Sequence, residues 1–261
     1  MMKFSRPLAA VGALAAAALI AGVVLLLSNR AAREHERACE VRAFEGSRFT
    51  VCAYDAQRDD FRLVSRGADG AYLRTFERML QTLGRDARRV RFAMNAGMFN
   101  DRGAPIGLYV ENGAEQHVLR LTNGPGNFHM KPNGVFWIDD DGALHLSRSE
   151  DYATLAPHPR FATQSGPMLV VAGSLHPAFA PDGPSRYIRN GVGLRDDRTA
   201  YFVISSGAVS FGRFARFFRD ELHCRDALFL DGSVSSLYAP SMGRSDDNHD
   251  IGPIIVVLDR R

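Results

Sequence analysis

The chain has 261 residues, of which 46% are hydrophobic, and a formal net charge of +3. This length suits one large domain or two small ones, and this hydrophobic share is typical of a globular protein with a core. The basic residues are scattered and form no run or stripe, so nucleic acid is not expected as a partner.

The N-terminal segment carries a targeting signal. Lys3 and Arg6 precede an uncharged apolar run from Pro7 to Leu27. The run has about 20 residues, which is close to the length that an α-helix needs to span hydrocarbon. The sequence that follows, Leu25 to Arg30, offers no good small-x-small cleavage site. These features predict an uncleaved membrane anchor.

The predicted organisation is therefore an anchor at residues 1–30, a charged linker at 31–38 and an exported domain at 39–261. We expect the protein to be held in a bacterial inner membrane with its body facing the periplasm. A cleaved signal segment, which would release a secreted protein, is the alternative.

The cysteines agree with export. Cys39 and Cys52 flank two short predicted strands joined at Glu45-Gly46-Ser47. Opposed cysteines on such a hairpin form a disulfide in an oxidising compartment, so a Cys39–Cys52 disulfide is predicted. Cys224 is expected to be a small buried hydrophobic residue. The sequence has no cysteine and histidine spacing typical of zinc, and a cysteine-ligated metal is not expected.

Strands dominate the predicted body, and helices are few. The segments predicted as strands are 49–54, 61–64, 107–110, 134–138, 143–146, 168–172, 191–195, 199–205, 227–230 and 254–258. One helix is predicted from Ala71 to Leu83, capped by Asp69, and a second from Arg213 to Leu222, capped by Ser210. The fold class is α+β, a single domain with extensive mixed or antiparallel β-sheet.

The segment around Asp231 has the strongest signal for a functional site. Four apolar residues of a short predicted strand end at this carboxylate, and Gly232 and small hydroxyl residues follow. A rigid strand that ends in an open loop is a common position for a catalytic group. A plain turn is the alternative, because Asp-Gly is a strong turn dipeptide.

Four other segments are similar in being short, rich in Gly, Asn or Ser, and placed at strand ends. They are 94–99, 123–128, 163–168 and 189–193. One such segment is an ordinary turn. Five of them in a single domain predict loops that converge on a polar site.

The order of these motifs resembles the phosphodiester glycosidase family. The motifs are Asn-Ala-Gly-Met-Phe (95–99), Gly-Leu-Tyr-Val-Glu-Asn-Gly (107–113), Gly-Asn-Phe (126–128), Pro-Asn-Gly-Val-Phe (132–136), Ala-Thr-Gln-Ser-Gly-Pro-Met-Leu (162–169), Arg-Asn-Gly-Val-Gly (189–193) and Ala-Leu-Phe-Leu-Asp-Gly-Ser-Val-Ser (227–235). The likeness extends from about Cys39 to Leu258. The chain departs from the better-known Asp-Gly-Gly-Gly-Ser pattern, since Ser233 and Val234 follow Gly232.

The resemblance implies cleavage of a bond between sugar C1 and the oxygen of a phosphate ester. Ordinary glycosidases need two carboxylates, one of which protonates a poor leaving group. A phosphate monoester is already a good leaving group, so one carboxylate and one cation suffice. Asp231 is predicted to activate water or to stabilise the oxocarbenium ion, and Arg189 to clamp the phosphate. For Arg189 the alternative is a surface salt bridge.

The remaining predicted site residues would bind substrate. They are Asn95, Gly97, Ser165, Gly166, Asn190, Gly232, Ser233 and Ser235. For each polar member, hydrogen bonding to the loop backbone is the alternative role. No cofactor and no metal are expected, with a divalent cation held by Asp231 and loop carbonyl groups as the alternative.

The predicted function is an exported hydrolase of a glycosyl-1-phosphodiester in an envelope or extracellular glycoconjugate. Its expected partners are a sugar-phosphate or glycan substrate and, through the N-terminal helix, the membrane. A non-catalytic module that binds envelope glycans or phosphosugars at the same loops is the first alternative. A serine esterase that uses Ser233 or Ser235 is the second.

Overall fold

The computed structural model describes residues 38–261, and Cys39–Arg261 forms one compact unit. The predicted anchor at residues 1–30, and the linker up to residue 37, lie outside the described residues. Within residues 38–261, no helix is both long enough and apolar enough to cross a membrane.

The described part of the chain is mostly β-sheet with few helices, as predicted. Its α-helices are α1 (Phe76–Leu83), α2 (Ser149–Leu155) and α3 (Phe211–Arg216), and a π-helical turn, Phe217–Glu221, continues α3. The strands are β1 (Cys39–Phe44), β2 (Ser47–Asp55), β3 (Asp59–Val64), β4 (Val90–Asn95), β5 (Tyr109–Glu111), β6 (Ala114–His117), β7 (Gly134–Ile138), β8 (Leu144–Arg148), β9 (Phe161–Ser165), β10 (Met168–Val171), β11 (Ser174–Leu175), β12 (Asn190–Leu194), β13 (Thr199–Ser205), β14 (Asp226–Asp231), β15 (Leu237–Ala239), β16 (Arg244–Ser245) and β17 (Ile254–Asp259).

These strands form three sheets. The first has the order β1-β2-β13-β12-β14-β10-β11, the second β16-β15-β4-β17-β3, and the third β6-β5-β9-β7-β8. Neighbouring strands run antiparallel, including β12 with β14 and β4 with β17. The central strands are nearly continuous apolar runs, because both of their faces are buried.

An aromatic cluster joins the three sheets. Phe202 of β13 lies 5.6 Å from Phe92 of β4 and 5.8 Å from Phe136 of β7, measured between ring centroids. A second core lies under α3, where Phe217 stacks on Phe49 of β2 at 4.0 Å. The three sheets therefore share buried surface and hold one another in place.

At one edge of the first sheet, β1 and β2 pair in the register predicted by the cysteines. Cys39 lies directly opposite Cys52, and their sulfur atoms are bonded. The free Cys224 is buried, and burial raises the pKa of its thiol to about 12. This thiol is therefore protonated at neutral pH.

The first helix is shorter than predicted. It begins at Phe76, where the Thr75 hydroxyl accepts the N–H of Arg78, and not at Ala71 after Asp69. The segment before it pairs with the end of β3 instead, since Leu73 N–H donates to Ser65 O. The predicted helix was wrong for residues 71–75. Their apolar spacing is helical, but the backbone groups of Ala71 and Leu73 are hydrogen-bonded in a hairpin. In α3, Ser210 accepts the N–H of Arg213 as the predicted cap.

Candidate functional site

The three sheets meet at the end of β14. Asp231 is its last residue and lies opposite Asn190, the first residue of β12. Asn95, the last residue of β4, comes from the second sheet and Ser165, the last of β9, from the third. The loop 232–236, which we call the Gly232 loop, runs from Asp231 into β15. Strand ends from all three sheets thus surround one short loop.

Asp231 is 6% exposed. Its Oδ1 accepts the N–H of Ser233 at 2.6 Å and that of Val234 at 3.2 Å. Burial raises the pKa of this carboxyl, and the backbone N–H groups only partly oppose that effect. Within residues 38–261, no group donates a hydrogen bond to Oδ2. The Asp231 side chain thus forms an Asx turn with its own loop through Oδ1, and Oδ2 is left for a ligand.

The Arg189 guanidinium is fully buried. Its Nε donates to Val209 O at 3.0 Å, and its Nη2 donates to Ser185 O at 2.9 Å. Its Cζ lies 3.6 Å from the ring centroid of Phe211, which makes a close cation–π contact. Burial lowers the pKa of Arg189 to about 10, so the side chain stays charged at neutral pH.

Arg189 is not part of a salt bridge, the alternative predicted for it. No carboxylate of the described residues lies within 4 Å of its nitrogens, and its Nη1 is buried with no hydrogen-bond partner. A Cβ on Gly232 would be 3.5 Å from Nη1 and 2.9 Å from Phe229 Cζ. The Gly232 loop thus lies against Nη1, and a Cβ at position 232 would crowd the ring of Phe229.

A network of amides and hydroxyls holds the other end of the Gly232 loop. Asn95 Oδ1 accepts the N–H of Ser236 at 2.8 Å, and Asn190 Nδ2 donates to Asn95 O at 2.9 Å. Ser235 Oγ lies 3.0 Å from Asp231 O and 3.3 Å from Asn190 Oδ1. Asn95 Nδ2 is buried and has no hydrogen-bond partner among residues 38–261. An unpartnered buried donor therefore lies at each end of the loop.

Other predicted substrate-binding residues use their polar or close-packed atoms inside the fold. Ser165 Oγ donates to Leu230 O at 2.8 Å, and the Gly97 N–H donates to Thr163 Oγ1 at 3.2 Å. A Cβ on Gly166 would lie 2.8 Å from Phe128 O. These residues pack the base of the site. Ser233 is exposed at its mouth.

Sequence comparison decides the family. A profile of the phosphodiester glycosidases matches residues 88–257. The chain belongs to the phosphodiester glycosidase family. It is 35% identical over 191 residues to YigE of Escherichia coli K12, an uncharacterized protein, and the alignment covers 72% of this chain and 74% of YigE.

A solved structure shows the same fold. The catalytic domain of zebrafish N-acetylglucosamine-1-phosphodiester α-N-acetylglucosaminidase, auto-inhibited by its pro-peptide, superposes with a TM-score of 0.57. It is 14% identical in sequence, and the match covers 85% of this chain and 82% of that one. The family match spans β4 to the middle of β17, so it contains Asp231, Arg189 and the whole Gly232 loop.

Four further residues contribute to this candidate site, and the sequence did not point to their roles. Phe211 and Phe229 support the Arg189 guanidinium, Ser185 accepts from it, and the Ser236 N–H binds Asn95. The two phenylalanines could have been found from the sequence, because Phe229 lies within the 227–235 motif and Phe211 follows the predicted helix cap Ser210. The roles of the two serines depend on tertiary contacts alone.

Two rival chemistries have specific requirements. In the part of the chain that the structure describes, no group of three or more His, Cys, Asp or Glu side chains is arranged to hold a metal ion. Among the same residues, no histidine hydrogen-bonds to Ser233 or Ser235, and the Ser235 hydroxyl is directed at carbonyl oxygens. The geometry that a serine nucleophile needs is therefore not formed in this arrangement.

Proposed function

We propose that this protein hydrolyses a glycosyl-1-phosphodiester. A water oxygen bonds to C1 of the sugar while the bond from C1 to the phosphate oxygen breaks. One proton of the water is transferred to a base or to solvent. The products are a reducing sugar and a phosphate monoester. Membership of the phosphodiester glycosidase family supports this class of reaction.

Asp231 is the proposed carboxylate. Its Oδ2 lacks a hydrogen bond within the described residues, so it is the oxygen that can accept a proton from water or face a positively charged C1. Because burial raises the pKa of this carboxyl, it is a stronger base when ionised than an ordinary aspartate.

Arg189 is the proposed phosphate ligand. The single observation that carries the proposal is its buried Nη1, which has no hydrogen-bond partner in the described part of the chain although the guanidinium is charged. A buried charge without a counter-ion is costly, and an anion that enters would offset that cost. A phosphodiester carries one negative charge, which matches one arginine.

We also propose that the body is exported and tethered by residues 1–30. The bonded pair Cys39 and Cys52 supports this, because disulfides persist in oxidising compartments. The substrate would then be an envelope or extracellular glycoconjugate. The zebrafish relative carries the glycosyl phosphodiester bond in its own name, and it supports the bond class and no particular sugar.

The test compares two aspartates of β14. Asp231→Asn should lower kcat/KM for a sugar-1-phosphodiester by at least about 1,000-fold, as expected for loss of a catalytic carboxylate. Asp226→Asn is the matched control, because Asp226 lies at the other end of the strand and, among the described residues, its carboxylate accepts the Ala172 N–H alone. Reducing sugar and phosphate monoester are both measured, with and without a chelator.

Full activity in Asp231→Asn would overturn the proposal. Ligand binding that survives in this variant, with no product from the unaltered protein, would favour the glycan-binding module. If the chelator abolishes the activity of the unaltered protein, a divalent cation bound at Asp231 would be favoured. Labelling by a fluorophosphonate probe would favour the esterase.

A further inference from the structure

Two exposed apolar side chains lie beside this buried site. Tyr187 is 54% exposed and Ile188 is 46% exposed, and both immediately precede Arg189. We call them the Tyr187–Ile188 rim. Single exposed apolar residues are ordinary on a protein surface. Exposed apolar side chains at the edge of a site are available for contact with a ligand.

The backbone of the rim is fixed. Tyr187 N–H donates to Val209 O at 3.3 Å, and Val209 N–H donates to Tyr187 O at 2.9 Å. Ile188 O accepts the Ser235 hydroxyl at 3.1 Å. The two side chains are therefore exposed on a hydrogen-bonded segment. A surface fixed in this way loses little backbone entropy when it binds a ligand.

The rim flanks both proposed reactive groups. The Arg189 Cζ lies 5.5 Å from the centroid of the Tyr187 ring. On the other side, Ser235 Oγ lies close to both Ile188 O and Asp231 O, so Ile188 borders the start of the Gly232 loop. A ligand that places an anion at Arg189 would thus have its adjacent group near the Tyr187 ring, at the edge that Ile188 also borders.

We infer that the Tyr187–Ile188 rim binds an alkyl aglycone, so that the substrate is a sugar 1-phosphate esterified to a lipid alcohol. The inference rests on the proposed function, because it needs a phosphate at Arg189. A sugar ring would favour polar neighbours, whereas the aliphatic Ile188 side chain offers no hydrogen bond. The apolar pair beside one buried cation complements a molecule with an anionic group attached to an alkyl chain.

The bonds that change are those of the proposed hydrolysis. C1 of the sugar gains the water oxygen, and the bond from C1 to the phosphate oxygen breaks. The leaving group is then an alkyl phosphate. It keeps its lipid alcohol and stays at the rim until it dissociates.

The experiment uses two diesters of one sugar 1-phosphate, a methyl ester and a decyl ester, with the full chain and below the decyl ester's micelle concentration. We expect kcat/KM to be about tenfold higher for the decyl ester, as for burial of about two methylene groups. Ile188→Ser and Tyr187→Ser should each bring this ratio close to one, with unchanged thermal unfolding.

The matched control is Val41→Ser. Val41 is 44% exposed, close to Ile188, and lies on edge strand β1, three strands from β12 in the same sheet. That separation is roughly 14 Å. This variant should keep the tenfold ratio of the unaltered protein.

Equal kcat/KM for both esters in the unaltered protein would overturn the inference. An equal loss on both esters in Tyr187→Ser, with no effect of Ile188→Ser, would also overturn it and indicate stacking of a sugar on the ring. Hydrolysis of neither ester would contradict the proposed function instead. In that case the affinity of the full chain for each ester is measured by calorimetry, and equal affinities would still overturn the inference that the rim binds an alkyl group.

Discussion

Arg91 and Arg189 are both buried, yet their charges are balanced in different ways. Arg91 Nη1 pairs with the carboxylate of Asp59, which is itself buried, and Arg91 Nε lies 3.7 Å from Asp259. Arg189 packs on the ring of Phe211 and donates to neutral oxygens, and its Nη1 has no partner from Ala38 onward.

The difference separates a structural charge from one that is available to a ligand. An ion pair such as that of Arg91 and Asp59 is satisfied inside the fold, and neither member can bind an external ion without losing the other. The aromatic faces and carbonyl oxygens around Arg189 stabilise its charge without neutralising it. An anion can therefore still be attracted to it.

The largest expected effect comes from removing the charge at Arg91. Arg91→Met leaves the buried Asp59 carboxylate without its ion pair to Arg91, so we expect the free energy of unfolding to fall by about 3–5 kcal/mol. Arg189→Met leaves no buried carboxylate without its ion pair. We therefore expect the free energy of unfolding to fall by only about 1–2 kcal/mol, through lost hydrogen bonds. Urea unfolding of both variants measures the contrast.

Activity should show the reverse order. Arg189→Met should lower kcat/KM for a sugar-1-phosphodiester by at least about 100-fold, since it removes the cation from the site. Arg91→Met should keep kcat/KM per folded molecule, measured at low temperature. The contrast fails if both variants lose stability equally, or if Arg189→Met remains active.

A smaller effect should follow from changing the aromatic support. Phe211→Leu removes the ring that faces the guanidinium, and we expect kcat/KM to fall about tenfold. Phe214→Leu, on the same helix, is the control because Phe214 packs on Phe49 and Phe218 and not on Arg189. A similar loss of activity per folded molecule in both variants would show that helix packing, and not the cation–π contact, is responsible.

The smallest effect concerns stability at Asp231. Because its folded pKa lies above its unfolded pKa, stability is greatest below the unfolded pKa and is lost as pH rises through the folded pKa. Asp231→Asn removes this loss and should be more stable than the unaltered protein by about 1 kcal/mol at neutral pH. The difference should vanish in acid. Urea unfolding across pH tests it, and an asparagine variant that is less stable at neutral pH would contradict it.

The sequence allowed prediction of features that depend on neighbouring residues. Asp231 at the end of a buried strand, Ser210 as a helix cap and Cys39 opposite Cys52 all follow from local pattern and register. The three-sheet arrangement did not follow, because strand β4, with Arg91 among apolar residues, has no clear alternation.

The sequence predicted candidate site residues, and their arrangement was visible only in the structure. Arg189 was predicted as a phosphate clamp, and the structure encloses it between Phe211 and the Gly232 loop. No local pattern reveals this, because Phe211 and Gly232 approach Arg189 only through tertiary packing. Ser165 likewise has a hydrogen bond to Leu230 that depends on the meeting of two sheets.

One pairing in the second sheet bears on when activity can arise. Asn95 lies opposite Ile254, because β17 inserts between β3 and β4 as a central strand. The backbone position of Asn95 in the sheet therefore depends on its pairing with the segment at 254–259. A chain that emerges in an extended form, from a ribosome or through a translocation channel, would stay inactive until residues 254–259 pair between β3 and β4. Turnover would then report completed folding of the whole domain.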